Sequence, residues 1–250
     1  MADESEQSTV PETVRVALAD RPVADRVCLE AGAGTGNATA GLLAKDPARV
    51  YAVTDDGDHA ALVRERCGGA TDRLAVLEAD LQKTPLASDS VGLVTAHALC
   101  NLLNPAALDT VAAELTRVAA PGAHLVVDDY APLPEDAAVR DLFAVENAAT
   151  ELADRKPALT FYPAGTLRAV FERHGWRFDR RRTLLDPVPW TATHLSAHAA
   201  VAVEAAATLP AQVGDPLARR AESLVERIGS ESAGRMYSLA FRRPPAEDDG

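Results

Sequence analysis

The chain has 250 residues, enough for one α/β domain with insertions and a sizeable core, and carries 37 Asp and Glu against 25 Lys and Arg, a formal charge of −12. Such an acid excess weighs against phosphate-rich partners, which are bound through Lys and Arg. The most apolar window, residues 199–211, is interrupted by Glu204 and Pro210, which excludes a membrane span there, and Cys28, Cys67 and Cys100 lack the paired spacing of a disulfide framework or a metal cluster.

Strand and helix signals alternate from residue 11 to about 130, the pattern of a parallel, doubly wound sheet. A helix is expected at 14–19, closed by Arg21-Pro22, then a strand at 26–30 and a helix to about 46, ended by Pro47. A second strand at 49–54 leads to a helix at 58–67 that stops at Gly68-Gly69. Strands follow at 73–78 and 91–96, a helix at 105–120, and a fifth strand at 123–128 after the turn Pro121-Gly122. The regularity then breaks. A helical stretch at 135–154 has no strand partner. A helix at 163–174 and a strand at 176–184 come next, then a second helical insertion at about 191–230, broken by Pro210 and by Gly214-Asp215-Pro216, and a last strand at 235–242. The expected organisation is a disordered stretch at 1–10, one domain over 11–243 with helical insertions at about 132–160 and 187–232, and a disordered tail at 244–250.

The N-terminal residues 1–9 are acidic and polar, without the basic start and apolar stretch of a signal peptide, so a cytoplasmic protein is expected. Lys occurs only at 45, 83 and 156. Abundant carboxylates with scarce Lys suit a salt-rich cytoplasm, where salt screens their repulsion; a genome rich in GC would also favour Arg and Ala over Lys. The cluster Arg180-Arg181-Arg182, with Arg173 and Arg177 nearby, is expected to be a solvated strand and helix end.

The most informative segment is Glu30-Ala31-Gly32-Ala33-Gly34-Thr35-Gly36-Asn37. A carboxylate ends an apolar strand, three alternate glycines strip the turn of side chains, and a helix follows, so a ligand can lie directly on the backbone at the carboxyl edge of the sheet. A dinucleotide fingerprint of the G-x-G-x-x-G kind would need glycine at 37, where Asn37 stands. The acid-x-G-x-G-x-G pattern resembles motif I of the class I S-adenosylmethionine (SAM)-dependent methyltransferases. Further stretches resemble the family in order and spacing: Glu78-Ala79-Asp80-Leu81 after the third strand, 85–91 before the fourth, 121–128 at the fifth, and 161–176. The likeness covers about residues 12–130 and 160–184, with the last strand also fitting.

The resemblance implies a Rossmann-like α/β fold, a doubly wound, mostly parallel seven-stranded sheet, with SAM as cofactor. Glu30, Ala31, Gly32, Gly34 and Gly36 would take its methionine end, and Asp80 and Leu81 its adenine, with Ala96 at the tip of the fourth strand. The family's ribose-binding acid falls at Thr54 here, a departure, so either Asp55 one residue later or Thr54 serves the ribose. Gly92 likewise replaces an acid just inside the fourth strand.

His97, at the same edge, is the candidate general base. His194 and His198 share a helix face; exposed histidines, an acceptor pocket or a metal site all remain open, with no metal expected because no carboxylate or cysteine stands at ligand spacing. Tyr130 and Trp190 could form an aromatic wall or simply pack. Because ligands of open sheets bind beyond the strands' carboxyl ends, both insertions are expected to fold over the cofactor as a cap. The expected function is methyl transfer to a small-molecule acceptor of unknown identity, with nucleic acid disfavoured, no membrane partner expected and the oligomeric state unspecified. The alternatives are a SAM-binding sensor or partner subunit without turnover, and a methyltransferase acting on RNA or protein.

Overall fold

A computed structural model describes residues 10–68 and 72–245. Residues 1–9 and 246–250, where disorder was expected, and Gly69 of the expected helix stop lie outside them. The elements run α1 (Glu12–Leu18), β1 (Val27–Ala31), α2 (Asn37–Leu43), β2 (Arg49–Thr54), α3 (Gly57–Cys67), β3 (Leu74–Glu78), β4 (Val91–His97), α4 (Pro105–Val118), β5 (Ala119–Tyr130), α5 (Val139–Asp154), α6 (Ala164–Arg173), β6 (Arg177–Leu185), β7 (Pro189–Trp190), α7 (Ala192–Ala207), α8 (Ala211–Ile228), β8 (Glu231–Ser232) and β9 (Met236–Arg242).

Seven strands form one sheet in the order β3-β2-β1-β4-β5-β9-β6, and β7 and β8 make a separate ribbon. Only β9 runs antiparallel to its neighbours. The central strands are apolar on both faces because both are covered. Leu29, Val94 and Val127 pack on the side of α4 and α6, whereas Cys28, Leu93 and Val126 pack on the side of α1 and α2. Register aligns Val53, Ala31, Ala96 and Val127 in one row across β2, β1, β4 and β5. One residue further on stand Thr54, Gly32, His97 and Asp128, the inner rim of the carboxyl edge.

The two insertions form one unit on this edge. The chain leaves β5 at Tyr130 and β6 at Leu185, and both residues pair with Met236 where β9 begins. Helices α5, α7 and α8 share a core of Val139, Leu142, Phe143, Leu195, Ala202, Ala221 and Leu224, tied to the sheet by Met236. The Glu231 carboxylate of the second insertion accepts from the Ala138 and Val139 N–H groups at the start of α5 (3.0 and 2.7 Å), closing one insertion onto the other.

Four local expectations are corrected. Gly214-Asp215-Pro216 does not break the second insertion, since α8 runs through it. A Cβ at 214 would collide with the Ala206 carbonyl oxygen, so this glycine admits the end of α7 and is not a stop. Pro121-Gly122 is an irregularity inside β5 (Gly122 φ +78°), where the register with β4 shifts, and not a turn before it. The helix expected from 135 begins only at Val139. Arg173, Arg177 and Arg181 are exposed as expected, but Arg180 and Arg182 are tied down: both bind Asp20, and they donate to the Ala17 and Val16 carbonyls respectively, which fastens the end of α1 to β6.

Candidate functional site

The glycine turn after β1 is held from both sides. The Gly32 and Ala33 N–H groups both donate to the Val53 carbonyl of β2 (2.9 Å each), and Gly36 N–H donates to the Ala33 carbonyl (2.7 Å). Gly32, Gly34 and Gly36 have φ of +75°, +45° and +78°, the left-handed region that side chains avoid. A Cβ at Gly32 would stand 2.8 Å from Leu99 Cδ1, so the turn is fitted against the segment after β4. Ala31 and Ala96 are fully buried beneath it. The Glu30 carboxylate is buried as well: it accepts from the Thr39 hydroxyl and from the N–H groups of Ala38 and Thr39 in the first turn of α2. Burial pushes this carboxyl up to about 7, against the opposing pull of those bonds and of the His97 charge.

At the tip of β2, Thr54 is buried and its hydroxyl accepts from Asp56 N–H (3.2 Å), while Asp56 caps α3 through the Asp58 and His59 N–H groups (2.8 and 2.9 Å). Asp55 instead faces a cavity of about 510 Å³, whose walls include Asp80, Leu81, Leu99, Lys156 and Pro157. Asp80 accepts from Gln82 N–H (2.8 Å), which fixes its carboxylate at the rim. The return segment of the first insertion therefore reaches the β2–β3 side of the edge. It is anchored there by Thr160 N–H donating to the Asn101 carbonyl (2.7 Å) and Tyr162 OH donating to the Leu103 carbonyl (2.8 Å).

A second group of residues surrounds His97. Its Nδ1 lies 3.1 Å from Asp128 Oδ2. Burial alone would depress the imidazole pKa, but the Asp128 hydrogen bond and the charges of Asp128, Glu30 and Asp129 outweigh it and hold the pKa above its ordinary value. Asp129, completely buried, accepts from Asn101 N–H (2.9 Å) and Tyr130 N–H (2.7 Å); burial raises its carboxyl to about 7 against those bonds. Asp128 Oδ1 and Asn101 Oδ1 are buried and have no partner among the described residues. Sequence reasoning found His97 but missed Asp128, Asp129 and Asn101. The signal was present: Asp128-Asp129 end the apolar run Leu125-Val126-Val127, as Glu30 nearly ends its own.

Between the cap and the tips of β4 and β5 lies a smaller pocket of about 150 Å³, bordered by Asn101, Tyr130, Phe161, Trp190, His194 and His198. Tyr130 and Trp190 face each other with centroids 5.3 Å apart, and Phe143 packs behind against Trp190 and His198. His198 Nδ1 pairs with the buried Glu146 carboxylate at 2.9 Å. His194 completes a capping box with Thr191 at the start of α7. Glu146 was also missed, although a carboxylate among Leu142, Phe143, Ala149 and Thr150 on one helix face is out of place unless paired. Among the described residues no group of three or more His, Cys, Asp or Glu could hold a metal ion, and no helix is long and apolar enough to cross a membrane.

Residues 29–127 match the family model described as a methyltransferase domain. No curated protein matches the chain. Among solved structures, the [4+2]-cyclase SpnF aligns with a TM-score of 0.62 at 17% identity, over 93% of this chain and 81% of that one. The geranyl diphosphate C-methyltransferase of Streptomyces coelicolor A3(2), in complex with Mg2+, geranyl diphosphate and S-adenosyl-L-homocysteine, aligns with a TM-score of 0.59 at 14% identity over 92% and 77%. The complex of the Haloferax volcanii Trm112 methyltransferase activator with a candidate methyltransferase gives 0.58 at 18% over 93% and 89%. These identities establish a shared fold, and a cyclase among them illustrates that this fold does not fix the reaction.

Proposed function

We propose, from the premise that the chain carries a class I SAM-dependent methyltransferase domain, that it moves a methyl group from SAM to a small molecule held beneath the cap. The observation that carries this reading is the convergence at one sheet edge of a side-chain-free turn, a cavity rimmed by Asp55 and Asp80, and the His97–Asp128 pair under the cap. The residues present suit the cofactor. Glycines 32, 34 and 36 allow its methionine end close to the backbone, and Asp128, whose Oδ1 is buried without a partner among the described residues, supplies negative field for a sulfonium and an ammonium. Asp55, which lines the cavity and can accept from both ribose hydroxyls, is the better ribose partner than Thr54, whose hydroxyl already accepts from Asp56 N–H; Asp80 and Leu81 would take the adenine, and Ala96 keeps the strand tip small. Glu30 acts by bracing α2 behind the turn.

SAM supplies an activated methyl on a positive sulfur. When bound it would offer that methyl to an acceptor atom in line with the sulfur, with a neutral thioether as the leaving group. The chain's work is to align the two atoms and exclude water. Where the acceptor carries a proton, His97 Nε2 takes it, with Asp128 holding Nδ1–H and stabilising the imidazolium, the division of labour of a histidine–carboxylate pair. The acid-rich surroundings disfavour phosphorylated and carboxylated acceptors, and the acidic surface disfavours nucleic acid, which supports a small uncharged acceptor. Calorimetric titration with SAM tests the site: Asp55→Ala and Asp80→Ala should each weaken binding about fivefold or more, as expected when a hydrogen bond to a charged group is removed. Unchanged affinity in both would place the cofactor elsewhere.

A further inference from the structure

The 150 Å³ pocket between the cap and β4–β5 has a composition that narrows what can enter it. A space of that size accommodates one six-membered ring. Tyr130, Phe161 and Trp190 give it flat walls beside the aliphatic Leu185, Val188 and Pro189, with the Tyr130 and Trp190 rings 5.3 Å apart and tilted by 41°. Aromatic faces of this kind favour a flat ring over a puckered one.

Three polar side chains, Asn101, His194 and His198, interrupt the apolar lining, and His194 is already engaged in the capping box at the start of α7. Asn101 is only 6% exposed, and its Oδ1 is buried without a hydrogen-bond partner among the described residues. Such an amide is left unsatisfied unless a ligand completes it. His198 turns Nδ1 to the buried Glu146, which leaves Nε2 as the ring atom available to a ligand; no partner for it is found among the described residues. Both groups can meet a hydroxyl, which donates and accepts. A negatively charged substituent is disfavoured, because Glu146 stands behind His198 and Asp129 holds the Asn101 backbone N–H. That same hydrogen bond links the pocket to the His97–Asp128 pair through the adjoining residues Asp128 and Asp129.

We infer that this pocket is the acceptor site and that it takes an uncharged, single-ring aromatic molecule bearing a hydroxyl, read by His198 and Asn101 as specificity-determining residues. The inference deepens the methyltransferase reading and rests on it for the fate of the bound molecule, whereas the binding itself does not depend on it.

Phenol is the probe. Trp190 lines the pocket, whereas Trp176, the other tryptophan, is buried in the sheet core with its indole N–H on Thr116. Phenol titrated into the full-length protein should therefore change the tryptophan emission, and Trp190→Phe should abolish that change. Cyclohexanol, with the hydroxyl but no flat ring, and benzoate, with the ring but a negative charge, should each bind at least tenfold more weakly. His198→Phe and Asn101→Leu should each weaken phenol at least tenfold; near-ultraviolet circular dichroism identifies which of them keeps the native packing, and a folded one suffices. No response to phenol, equal binding of phenol and benzoate, or wild-type affinity in the folded variants would overturn the inference. SAM calorimetry on the same samples separates the two failures. SAM binding without phenol binding sinks this pocket alone, and phenol binding without SAM binding sinks the methyltransferase reading and leaves the pocket standing.

Discussion

Replacing Glu30 by Gln should make the protein more tolerant of alkaline pH. The carboxyl is 2% exposed, and burial raises its pKa from 4.5 to about 7 in the folded chain. In the unfolded chain it ionises near its ordinary value. Between those two values the folded state retains a proton that the unfolded state has lost, so stability falls as pH rises through this window. A displacement of 4.5 to about 7 corresponds to about 3 kcal/mol in total, most of it lost between about pH 5 and pH 8. Gln keeps an oxygen to accept from Thr39 and the start of α2 but does not titrate. Urea denaturation followed by tryptophan fluorescence across that range should show wild type losing stability relative to Glu30→Gln by about 2–3 kcal/mol toward high pH. Parallel curves for the two proteins would show that Glu30 is ionised in the folded state and that the account of the buried acidic group is wrong.

Other consequences follow from the same geometry. Asp128→Asn removes the largest influence that raises the His97 pKa, so a proton-NMR titration should find that imidazole titrating at lower pH than in wild type; an unmoved or higher value would contradict the pairing. Gly32→Ala puts a side chain at φ +75° and 2.8 Å from Leu99 Cδ1, and should lower stability by about 1–3 kcal/mol and abolish measurable SAM binding; native affinity would mean the turn does not carry the cofactor. If the acid excess is an adaptation to a salt-rich cytoplasm, the melting temperature should rise as salt approaches molar concentration, and a fall would refute that reading.

Much of the fold was legible because its signals are local. Apolar runs ending at Glu30, Thr54 and His97, with Pro or Gly between, place β1, β2 and β4 within a residue or two, and the alternate glycines locate the edge where the site lies. What escaped depends on contacts distant in sequence. The glycine at 214 looks like a helix stop until the Ala206 carbonyl of the preceding helix is seen against it. Arg180 and Arg182 look solvated until α1, some 160 residues earlier, presents Asp20 and its last carbonyls. The site divides in the same way. Asp55 and Asp80 could be named from their strand tips, and Asp128 and Glu146 carried local signals of their own, but that Asp128 meets His97 and Glu146 meets His198 could not be read, because each pair is assembled by packing across 31 and 52 residues. Glu30 carries the opposite lesson: its position in the motif points to a ligand, whereas its side chain is committed to α2.

The central claim, methyl transfer to a small molecule, is tested most directly by incubating the protein with methyl-labelled SAM and fractionated cell extract in molar salt, then counting label in the small-molecule, lipid, RNA and protein fractions. The account predicts label confined to the small-molecule fraction and lost with Gly32→Ala. Label in RNA or protein, or no SAM binding by calorimetry under the same conditions, would contradict it.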